Sequence, residues 1–557
     1  MQVLQARIHA ALCACLVSAM VFAQTAPDTY WVQFADKDNT PYSLGQPEDF
    51  LSARAIARRA AQGIAFDALD LPVDPAYIEA VLALGDVQLV NRSKWFNAIT
   101  VRTTDQEALA AIQALPIVLM IRSSGLSTAP GSVHNKLDEP LPGEERDGDA
   151  ELFGPSFRQF EMLNGQQLHA LDAKGQGMLI GVLDAGFDGV DSSAAFQPLR
   201  DRGGLVMTRD LVVQGGDVFE GNAHGRSVLS CMAAQLPGNL VGTAPEADYV
   251  LLRTEDANTE YPVEEDNWIS GAELADSLGC DVLNTSLGYT TFDDSTMDHR
   301  YEDLDGLTLR ISIAANIASR KGMVPVNSSG NSGNSDWYYI SAPADAIDIL
   351  AVGAVGDVEN HAPFSSHGPS ADGRTKPDVC AMGWGSIVLR NGVDSVTAAN
   401  GTSFASPILA GLVACLWQLH PERTSQQIMD AVRRSGSFFT APNDSMGYGV
   451  PDFGAAHAWL ELTATVPEPN VDDQQLRVFP VPFQDELFVR LAASNTDPIR
   501  ASLFDATGRM VVDERTTVNG DGLLRISSGL DALAVGSYVL RVQQGGRVLQ
   551  HMTIKAP

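Results

Sequence analysis

The central part of the chain alternates short apolar runs with longer amphipathic ones. The apolar runs are rich in Val, Ile, Leu and Ala, as is typical of strands buried on both faces. They lie at 178–183, 249–253, 282–284, 324–327 and 349–355, and candidate helices lie at 159–173, 225–235, 268–278, 307–321, 403–419 and 425–435. This alternation predicts an α/β fold with a doubly wound, mostly parallel sheet covered by helices.

The two flanking segments have different patterns. Residues 30–122 place strands and helices in the order β-α-β-β-α-β, which predicts a ferredoxin-like α+β domain. A basic helix around Arg54, Arg58 and Arg59 is expected to be a solvated face. Residues after 475 contain short strands separated by glycine turns and predict a small antiparallel β-sandwich, in which we find no nucleophile-and-base pair.

Composition describes a folded protein of several domains. A chain of 557 residues is too long for one compact core, and 45% hydrophobic with 19% charged residues is typical of folded proteins. The net charge of −32 argues against a nucleic-acid or anionic-membrane partner, because phosphate binding needs clustered Lys and Arg.

The N-terminus has the layout of a secretory signal peptide. Residues 1–23 contain Arg7, an apolar run at 10–22 and small residues at the end. The run is too short to span a bilayer, and we expect no transmembrane segment in the mature protein. Cleavage would remove Cys13 and Cys15. The remaining cysteines lie in apolar segments and are expected to be buried free thiols: Cys231, Cys280, Cys380 and Cys415.

Stretches rich in Pro, Gly, Asp and Glu mark two linkers, because such compositions cannot build a core. The predicted organisation is a signal peptide at 1–23, an N-terminal domain at 24–125, a linker at 126–156, the central domain at 157–462, a linker at 463–474 and the β-sandwich at 475–557.

Candidate chemistry lies at strand ends and helix starts. Asp184 ends an apolar strand, where α/β folds place catalytic groups, and His224 begins a helix, which favours the neutral imidazole of a general base. Ser403 begins an apolar helix, whose unpaired N–H groups and dipole favour an oxyanion. The amide of Asn331, after the strand 324–327, can donate to such an oxyanion. Taken singly, each residue also fits an ordinary role as a cap or a turn residue.

The order Asp, His, Ser on one doubly wound sheet is that of subtilisin, and residues 157–462 resemble a subtilisin-like serine peptidase (subtilase). Five motifs in the family order carry the resemblance: Val182-Leu183-Asp184-Ala185-Gly186, Ala223-His224-Gly225, Asn284-Thr285-Ser286-Leu287-Gly288, Ser329-Gly330-Asn331 and Gly401-Thr402-Ser403-Phe404-Ala405-Ser406-Pro407.

The resemblance implies a catalytic triad. Ser403 would attack the scissile carbonyl, His224 would take and return the proton, and Asp184 would orient and stabilise the imidazolium. Asn331 would complete the oxyanion hole. The walls of the pocket for the side chain before the cleaved bond would be Ser286, Leu287, Gly288, Ser328, Ser329 and Gly330. Ser341 would lie near its floor, and we expect a medium or large uncharged side chain there.

Some residues depart from the family pattern without removing a triad group. Arg226 stands where Thr is usual, Ser230 replaces a frequent Gly, and the serines at 328 and 329 replace common alanines, which makes the pocket wall more polar. These departures leave the substrate preference open. His361 and His367 are rival bases in principle, but their loop is not catalytic in the family.

The flanking domains also resemble known ones. Residues 24–125 resemble subtilase propeptides, which act as intramolecular chaperones and inhibitors. Residues 475–557 resemble a type IX secretion sorting domain, with a generic adhesion sandwich as the competing interpretation. The resemblance requires no cofactor and allows structural calcium, whose ligands the sequence does not assign. The expected partners are protein or peptide substrates and the secretion machinery, and we expect a monomer.

These observations predict a secreted or cell-surface serine endopeptidase made as a zymogen. The alternative is a catalytically silent surface protein that binds peptides or glycans on a peptidase scaffold. A narrow role in maturing partner proteins at the cell surface is a third hypothesis.

Overall fold

The structure is a computed structural model that describes residues 28–125, 151–390, 392, 394–464, 476–479, 483–484, 487–491, 499–505, 509–516, 523–526, 529–544 and 547–555. The expected signal peptide and most of both expected linkers lie outside these residues. The chain divides into two compact units, one up to His457 and one from Ala458.

The N-terminal domain (residues 28–125) is a four-stranded sheet with helices. Its elements are β1 (Thr29–Phe34), α1 (Ala53–Ala61), α2 (Pro75–Leu82), β2 (Gln88–Ser93), β3 (Ala98–Arg102), α3 (Gln106–Gln113) and β4 (Val118–Gly125). The strand order is β2-β3-β1-β4, with every pair antiparallel. Helix α2 begins at Pro75 because Asp74 accepts a hydrogen bond from Ala76 N–H and proline is tolerated in a first turn.

The central domain contains a seven-stranded parallel sheet. Its first elements are α4 (Phe157–Glu161), α5 (Gly165–Ala170), β5 (Leu179–Asp184), α6 (Gln197–Asp201), β6 (Leu205–Asp210), α7 (His224–Ala233), β7 (Gln235–Leu236), β8 (Leu240–Val241), β9 (Asp248–Arg253), α8 (Val263–Leu278), β10 (Val282–Thr285), α9 (Arg310–Arg320), β11 (Val324–Ser328), β12 (Leu350–Val355) and β13 (Val379–Met382). The strand order is β13-β12-β11-β10-β5-β9-β6, and the pairs are parallel. The predicted α/β sheet is therefore confirmed.

The rest of the central domain carries the long apolar helix. It contains β14 (Trp384–Leu389), β15 (Val396–Asn400), α10 (Thr402–Leu419), α11 (Ser425–Arg434) and α12 (Phe453–Ala464). Helix α10 packs on α7 and on strands β10 to β13, whereas α8 and α9 pack on each other. By length and composition α10 would suffice to cross a membrane, but 89% of it is buried inside the protein. It is therefore a core helix.

Two smaller features bear on the sequence-based expectations. Phe153, within the expected linker 126–156, is buried and stacks on Phe160 with ring centroids 4.5 Å apart. The expectation of buried free thiols is confirmed, and burial raises the pKa of each of them: Cys231, Cys280, Cys380 and Cys415.

The C-terminal unit contains two antiparallel sheets. One has the order β16-β17-β20, from strands Leu476–Phe479, Leu487–Leu491 and Leu523–Ile526. The other has the order β19-β18-β21-β22, from strands Met510–Thr516, Ile499–Phe504, Gly536–Gln544 and Arg547–Lys555. Strands of both sheets contribute to one apolar cluster, which includes Val489, Leu503 and Leu540.

Two of the three arginines of helix α1, Arg58 and Arg59, are buried, so the expectation of a solvated face was wrong for them. Arg58 is 6% and Arg59 0% exposed, because α1 packs on α8 of the central domain. Arg59 donates to Asp70 at 2.7 Å and to both carboxylate oxygens of Asp276 at 2.8 and 2.9 Å. Arg58 donates to Asp276 at 2.6 Å. The pattern of α1 alone could not show this, since Asp276 lies 217 residues after Arg59.

Two lysines complete this group of charges. Lys94 lies 3.0 Å from Asp276, and Lys321 lies 2.9 Å from Asp70. Burial acts to raise the pKa of Asp276, but the positive charges of Lys94 and the two arginines outweigh it and hold that pKa below its ordinary value. The set that joins the two domains is called here the buried ion cluster: Arg58, Arg59, Asp70, Lys94, Asp276 and Lys321.

Beside the buried ion cluster, Glu273 of α8 binds the backbone of the N-terminal domain. Its carboxylate accepts hydrogen bonds from Ser93 Oγ at 2.5 Å, Lys94 N–H at 2.7 Å and Trp95 N–H at 3.1 Å. Burial raises the pKa of Glu273 to about 7. The N-terminal domain is thus held to α8 by buried carboxylates.

Candidate active site

Asp184 and His224 form a hydrogen-bonded pair at the carboxyl end of β5. Asp184 is the last residue of β5 and is fully buried. His224 begins α7, and its N–H is held by Asn222 Oδ1 at 2.7 Å. His224 Nδ1 lies 2.8 Å from Asp184 Oδ1. Because a carboxylate only accepts, Nδ1 carries the proton of the neutral imidazole and Nε2 is left as the basic nitrogen.

Gly225 allows this pair to form. A Cβ at position 225 would lie 2.4 Å from the carbonyl oxygen of Gly186 and 2.9 Å from Asp184 Cβ. Any side chain here would therefore push α7 away from the end of β5. Glycine is therefore required after His224 because the end of β5 packs directly against the backbone there.

The helix start alone was expected to favour the neutral imidazole, but the electrostatics of the pair favour the imidazolium. Burial acts to lower the pKa of His224, but the negative charge of Asp184 and its hydrogen bond outweigh burial, and Glu255 adds to them, so the pKa lies above its ordinary value. A histidine of this kind is a stronger proton acceptor than a free imidazole.

Ser403 lies one residue inside the start of α10. It is 9% exposed, and its Oγ donates to the carbonyl oxygen of Ser286 at 3.3 Å. Ser286 Oγ in turn donates to the carbonyl oxygen of Ser403 at 2.8 Å, which fixes α10 to the end of β10. The ring of the neighbouring Phe404 lies 6.1 Å from the His224 ring.

No hydrogen bond joins Ser403 to His224 among the described residues. The hydroxyl instead points to the carbonyl oxygen of Ser286, the residue that follows β10. Rotation about the Cα–Cβ bond of Ser403 moves Oγ without moving the backbone. Catalytic hydrogen bonds, such as one from Ser403 to His224, often become short only when substrate binds.

Asn331 is oriented by the helix that carries Ser403. It is exposed, and its Oδ1 accepts hydrogen bonds from both Thr402 N–H and Thr402 Oγ1 at 2.9 Å. The carbonyl end of the side chain is therefore fixed. Its Nδ2 donates to no protein group in the part of the chain that the structure describes, and so its hydrogens are available to an oxyanion beside Ser403.

The two expected pocket walls lie side by side. Ser286 to Gly288 follow β10, and Ser328 to Gly330 end and follow β11, its neighbour in the sheet. Leu287, Ser328 and Ser329 are buried, whereas Gly288 is exposed. Tyr289 and Ala342 exchange backbone hydrogen bonds of 2.9 and 3.1 Å, which brings Ser341 against both segments.

Several residues that position the site were assigned no role by sequence reasoning. Thr402 orients Asn331, Asn222 holds the start of α7, and Ser406 Oγ donates to Asn284 Oδ1 at 2.9 Å and so fastens α10 to β10. Thr402, Ser406 and Asn284 lie inside the motifs quoted above, so the motifs were the available signal.

Comparison with known proteins identifies the family of the central and N-terminal domains. The family model described as Subtilase family matches residues 175–449, and the Peptidase S8 propeptide domain of Bacteroidota matches residues 29–136. The chain belongs to the subtilase family. It has a subtilisin-like fold and is a serine-type endopeptidase with a propeptide domain.

Individual relatives of this subtilase are moderately similar. Subtilisin DY of Bacillus licheniformis is 28% identical over 295 residues, which cover 52% of this chain and 93% of that protein. The thermostable alkaline protease of Halalkalibacterium halodurans is 26% identical over 50% of this chain and 68% of that protein. Serine protease AprX of Bacillus subtilis is 28% identical, covering 48% and 62%. A crystal structure of MycP1 from the ESX-1 type VII secretion system aligns with TM-score 0.44 and 20% identity, covering 60% and 94%.

The unusual arginine of this subtilase supports the histidine helix. Arg226 is 3% exposed, and its Nη2 lies 3.8 Å from Oδ1 of Asp394, between β14 and β15. The same carboxylate accepts hydrogen bonds from Ser193 Oγ and Ala194 N–H. Arg226 therefore links α7 to the segment between β14 and β15.

The rival histidines of the subtilase lie with each other. The rings of His361 and His367 are 4.6 Å apart, and His367 Nδ1 lies 3.0 Å from Ser445 Oγ. Burial lowers the pKa of both. Within the described chain neither is hydrogen-bonded to Ser403, so the prediction that they are not the base keeps its geometric support.

One group of carboxylates has the donor type that calcium prefers. Oxygens of Glu255, Glu260 and Glu264 lie within 4.8 Å of one another, and two of these residues are buried. Glu255 already accepts a hydrogen bond from Tyr289 Oη at 2.7 Å. Nothing else at this position indicates an ion, so no metal step enters the proposal below.

Proposed function

We propose that this subtilase hydrolyses peptide bonds through Asp184, His224 and Ser403 by way of an acyl-enzyme. The observation that carries the proposal is the 2.8 Å contact from His224 Nδ1 to Asp184, which leaves Nε2 basic beside the helix start that bears Ser403. Asp184 would hold the imidazole in the useful tautomer and stabilise it once it is protonated.

The two half-reactions balance on these groups. Ser403 Oγ adds to the scissile carbonyl carbon while His224 Nε2 takes its proton, and the carbonyl oxygen becomes an oxyanion held by Asn331 Nδ2–H and Ser403 N–H. Collapse breaks the C–N bond, and His224 gives the proton to the leaving amine. Water then attacks the acyl-enzyme by the same route and releases the acid and Ser403.

The substrate would bind as an extended strand. The backbone after β10 and β11 would pair with it, and Ser286 to Gly288 and Ser328 to Gly330 would form the walls for the side chain before the cleaved bond. Thr402 supports this proposal because its N–H binds Asn331 Oδ1 and so holds the Asn331 side chain beside Ser403.

The domains around the peptidase suggest a zymogen that is exported. Residues 24–125 would be a ferredoxin-like inhibitory propeptide, removed after a signal peptide at 1–23 directs export. Residues 475–557 would contact the secretion machinery as a sorting domain, and the product would be secreted or held at the cell surface. A monomer without cofactor, nucleic-acid partner or transmembrane segment, with structural calcium allowed, completes the proposal.

The test compares the wild type with Ser403→Ala and His224→Ala. We expect the wild type to be labelled by a fluorophosphonate at Ser403 and to trim its own propeptide, as seen by mass measurement, and both variants to stay full length. A folded wild type that is never labelled would instead favour the catalytically silent binding protein. Digestion of a peptide library separates broad degradation from narrow maturation of partner proteins.

A further inference from the structure

We propose that Ser341 makes this pocket prefer a side chain ending in a neutral amide, so that cleavage follows Gln or Asn more readily than apolar or aromatic residues. The inference rests on the proposed function and specifies its substrate class. Its ground is the position and the unused hydrogen-bonding capacity of this one hydroxyl.

Ser341 closes the space between the two walls. A Cβ built on Gly288 would lie 2.1 Å from Ser341 Oγ, and a Cβ built on Gly330 would lie 3.0 Å from the same atom. The hydroxyl therefore lies between the two glycines, which belong to opposite walls. A side chain that enters between the walls meets Ser341 Oγ at the bottom.

The backbone holds this hydroxyl in place. Ser341 N–H donates to the carbonyl oxygen of Ser329 at 3.2 Å, and its own carbonyl oxygen accepts from Ala344 N–H at 2.8 Å. The adjacent Ala342 pairs with Tyr289 as described above. Ser341 is therefore fixed to both walls, and a long aromatic side chain cannot deepen the pocket by displacing it at low cost.

The hydroxyl has no protein partner. Ser341 is 6% exposed, and its Oγ is buried without a hydrogen bond in the described chain. Ser329, fully buried in the neighbouring wall, also has an unpartnered Oγ. Ser366 Oγ, near Gly330, accepts from Ser332 N–H and donates to no described group. Buried hydroxyls gain from a ligand that supplies the missing bond, and an apolar ligand leaves them unsatisfied.

The hydrogen bonding at the floor favours a neutral group in the pocket. Among the described residues, no Lys, Arg, Asp or Glu side chain is hydrogen-bonded to Ser329, Ser341 or Ser366. A lysine or glutamate side chain in the pocket would be buried without a counter-charge. A carboxamide both donates and accepts, so it can bond a hydroxyl in either orientation and stays uncharged.

The test measures kcat/KM on peptides that differ only before the cleaved bond, with Gln, Met or Phe there. Met matches the length of Gln without its hydrogen bonds. We expect the wild type to prefer Gln to Met by about tenfold, which corresponds to about 1.4 kcal/mol. Ser341→Ala should bring this ratio to within about twofold, because it removes the hydroxyl and keeps most of the volume.

Two further variants separate depth from hydrogen bonding. Ser341→Gly should raise cleavage after Phe, because it removes the floor as well as the hydroxyl. Ser335→Ala is the matched control: it removes an exposed serine hydroxyl of the same loop and should leave all ratios unchanged. Fluorophosphonate labelling of each protein counts the active sites, so a misfolded variant is recognised. The ratio of kcat/KM for Gln over Met in the wild type then still tests the inference.

Two results would overturn the inference. A labelled wild type that cleaves after Met or Phe as fast as after Gln, or a Ser341→Ala variant with an unchanged ratio, refutes the amide preference and leaves the peptidase proposal standing. A folded wild type that does not label at Ser403 refutes both.

Discussion

The buried ion cluster makes a quantitative prediction about how the propeptide domain is held. In a Ser403→Ala background, which prevents processing, Arg59→Ala removes a guanidinium that contacts Asp70 and Asp276, and all three side chains are fully buried. Truncating one partner of a buried ion pair costs about 3–5 kcal/mol. Both carboxylates keep other cations, Lys321 and Lys94, so we expect the lower end, about 3 kcal/mol.

Hydrogen exchange of two amides reads this free energy directly. Lys94 N–H and Trp95 N–H donate to Glu273 across the domain boundary, so they exchange when the propeptide domain leaves α8. A loss of about 3 kcal/mol should speed their exchange by about 10²-fold. Amides of the β1–β3 ladder report unfolding of the domain itself and should accelerate less.

Arg54→Ala is the matched control on the same helix. The side chain of Arg54 is 40% exposed and pairs with Asp281, so its loss should cost about 1 kcal/mol or less. If Arg59→Ala leaves both reporter amides within threefold of the parent, or if Arg54→Ala has an equal effect, the argument from burial is wrong.

Three further predictions concern the site and its pH dependence. Asn331→Leu should lower kcat on a peptide ester by about 10²- to 10³-fold with little change in KM, because the amide stabilises the oxyanion and not the bound substrate. A rise in KM as large as the fall in kcat would contradict this. The raised pKa of His224 should give kcat/KM an acid limb, with activity lost as pH falls through that pKa, and Asp184→Asn should move the limb to lower pH and reduce the plateau by about 10⁴-fold; an unmoved limb would assign it to another group. The pKa of Glu273 is about 7 when the propeptide domain is docked, so its contribution to docking is full at a pH below its ordinary pKa and is lost as pH rises through 7. Exchange of the reporter amides, corrected for intrinsic rates, should therefore show docking weakened by about 2 kcal/mol between pH 5 and 8 in the parent protein and not in Glu273→Gln. The same pH dependence in both proteins would refute the assignment.

The sequence pattern predicted the five central strands of the parallel sheet and missed its two edge strands, β6 and the short, fully buried β13. Strands β5, β9, β10, β11 and β12 are almost wholly buried, so their apolar runs stand out. Strand β6 at one sheet edge is mostly exposed, and its apolar run ends after three residues, Leu205 to Met207. An exposed edge strand needs fewer apolar residues, so β6 has a weak hydrophobic pattern, whereas β13 is buried but has only four residues.

The candidate site divides in the same way. The positions of Asp184, His224 and Ser403 could be predicted because each lies in a motif whose backbone role leaves a trace, such as the close approach at Gly225. The role of Thr402 in orienting Asn331 could not, because it depends on two segments meeting in space. Burial of Arg59 was missed for the same reason, since its partner Asp276 lies on another domain.

The four cysteines of the peptidase domain should not respond to the redox state of its surroundings. Each thiol is buried and unpaired, and its raised pKa keeps it in the unreactive protonated form. The covalent structure of this core is then the same in glutathione-rich and oxidising solution, and its refolding needs no disulfide isomerase. Cross-links are replaced here by packing alone.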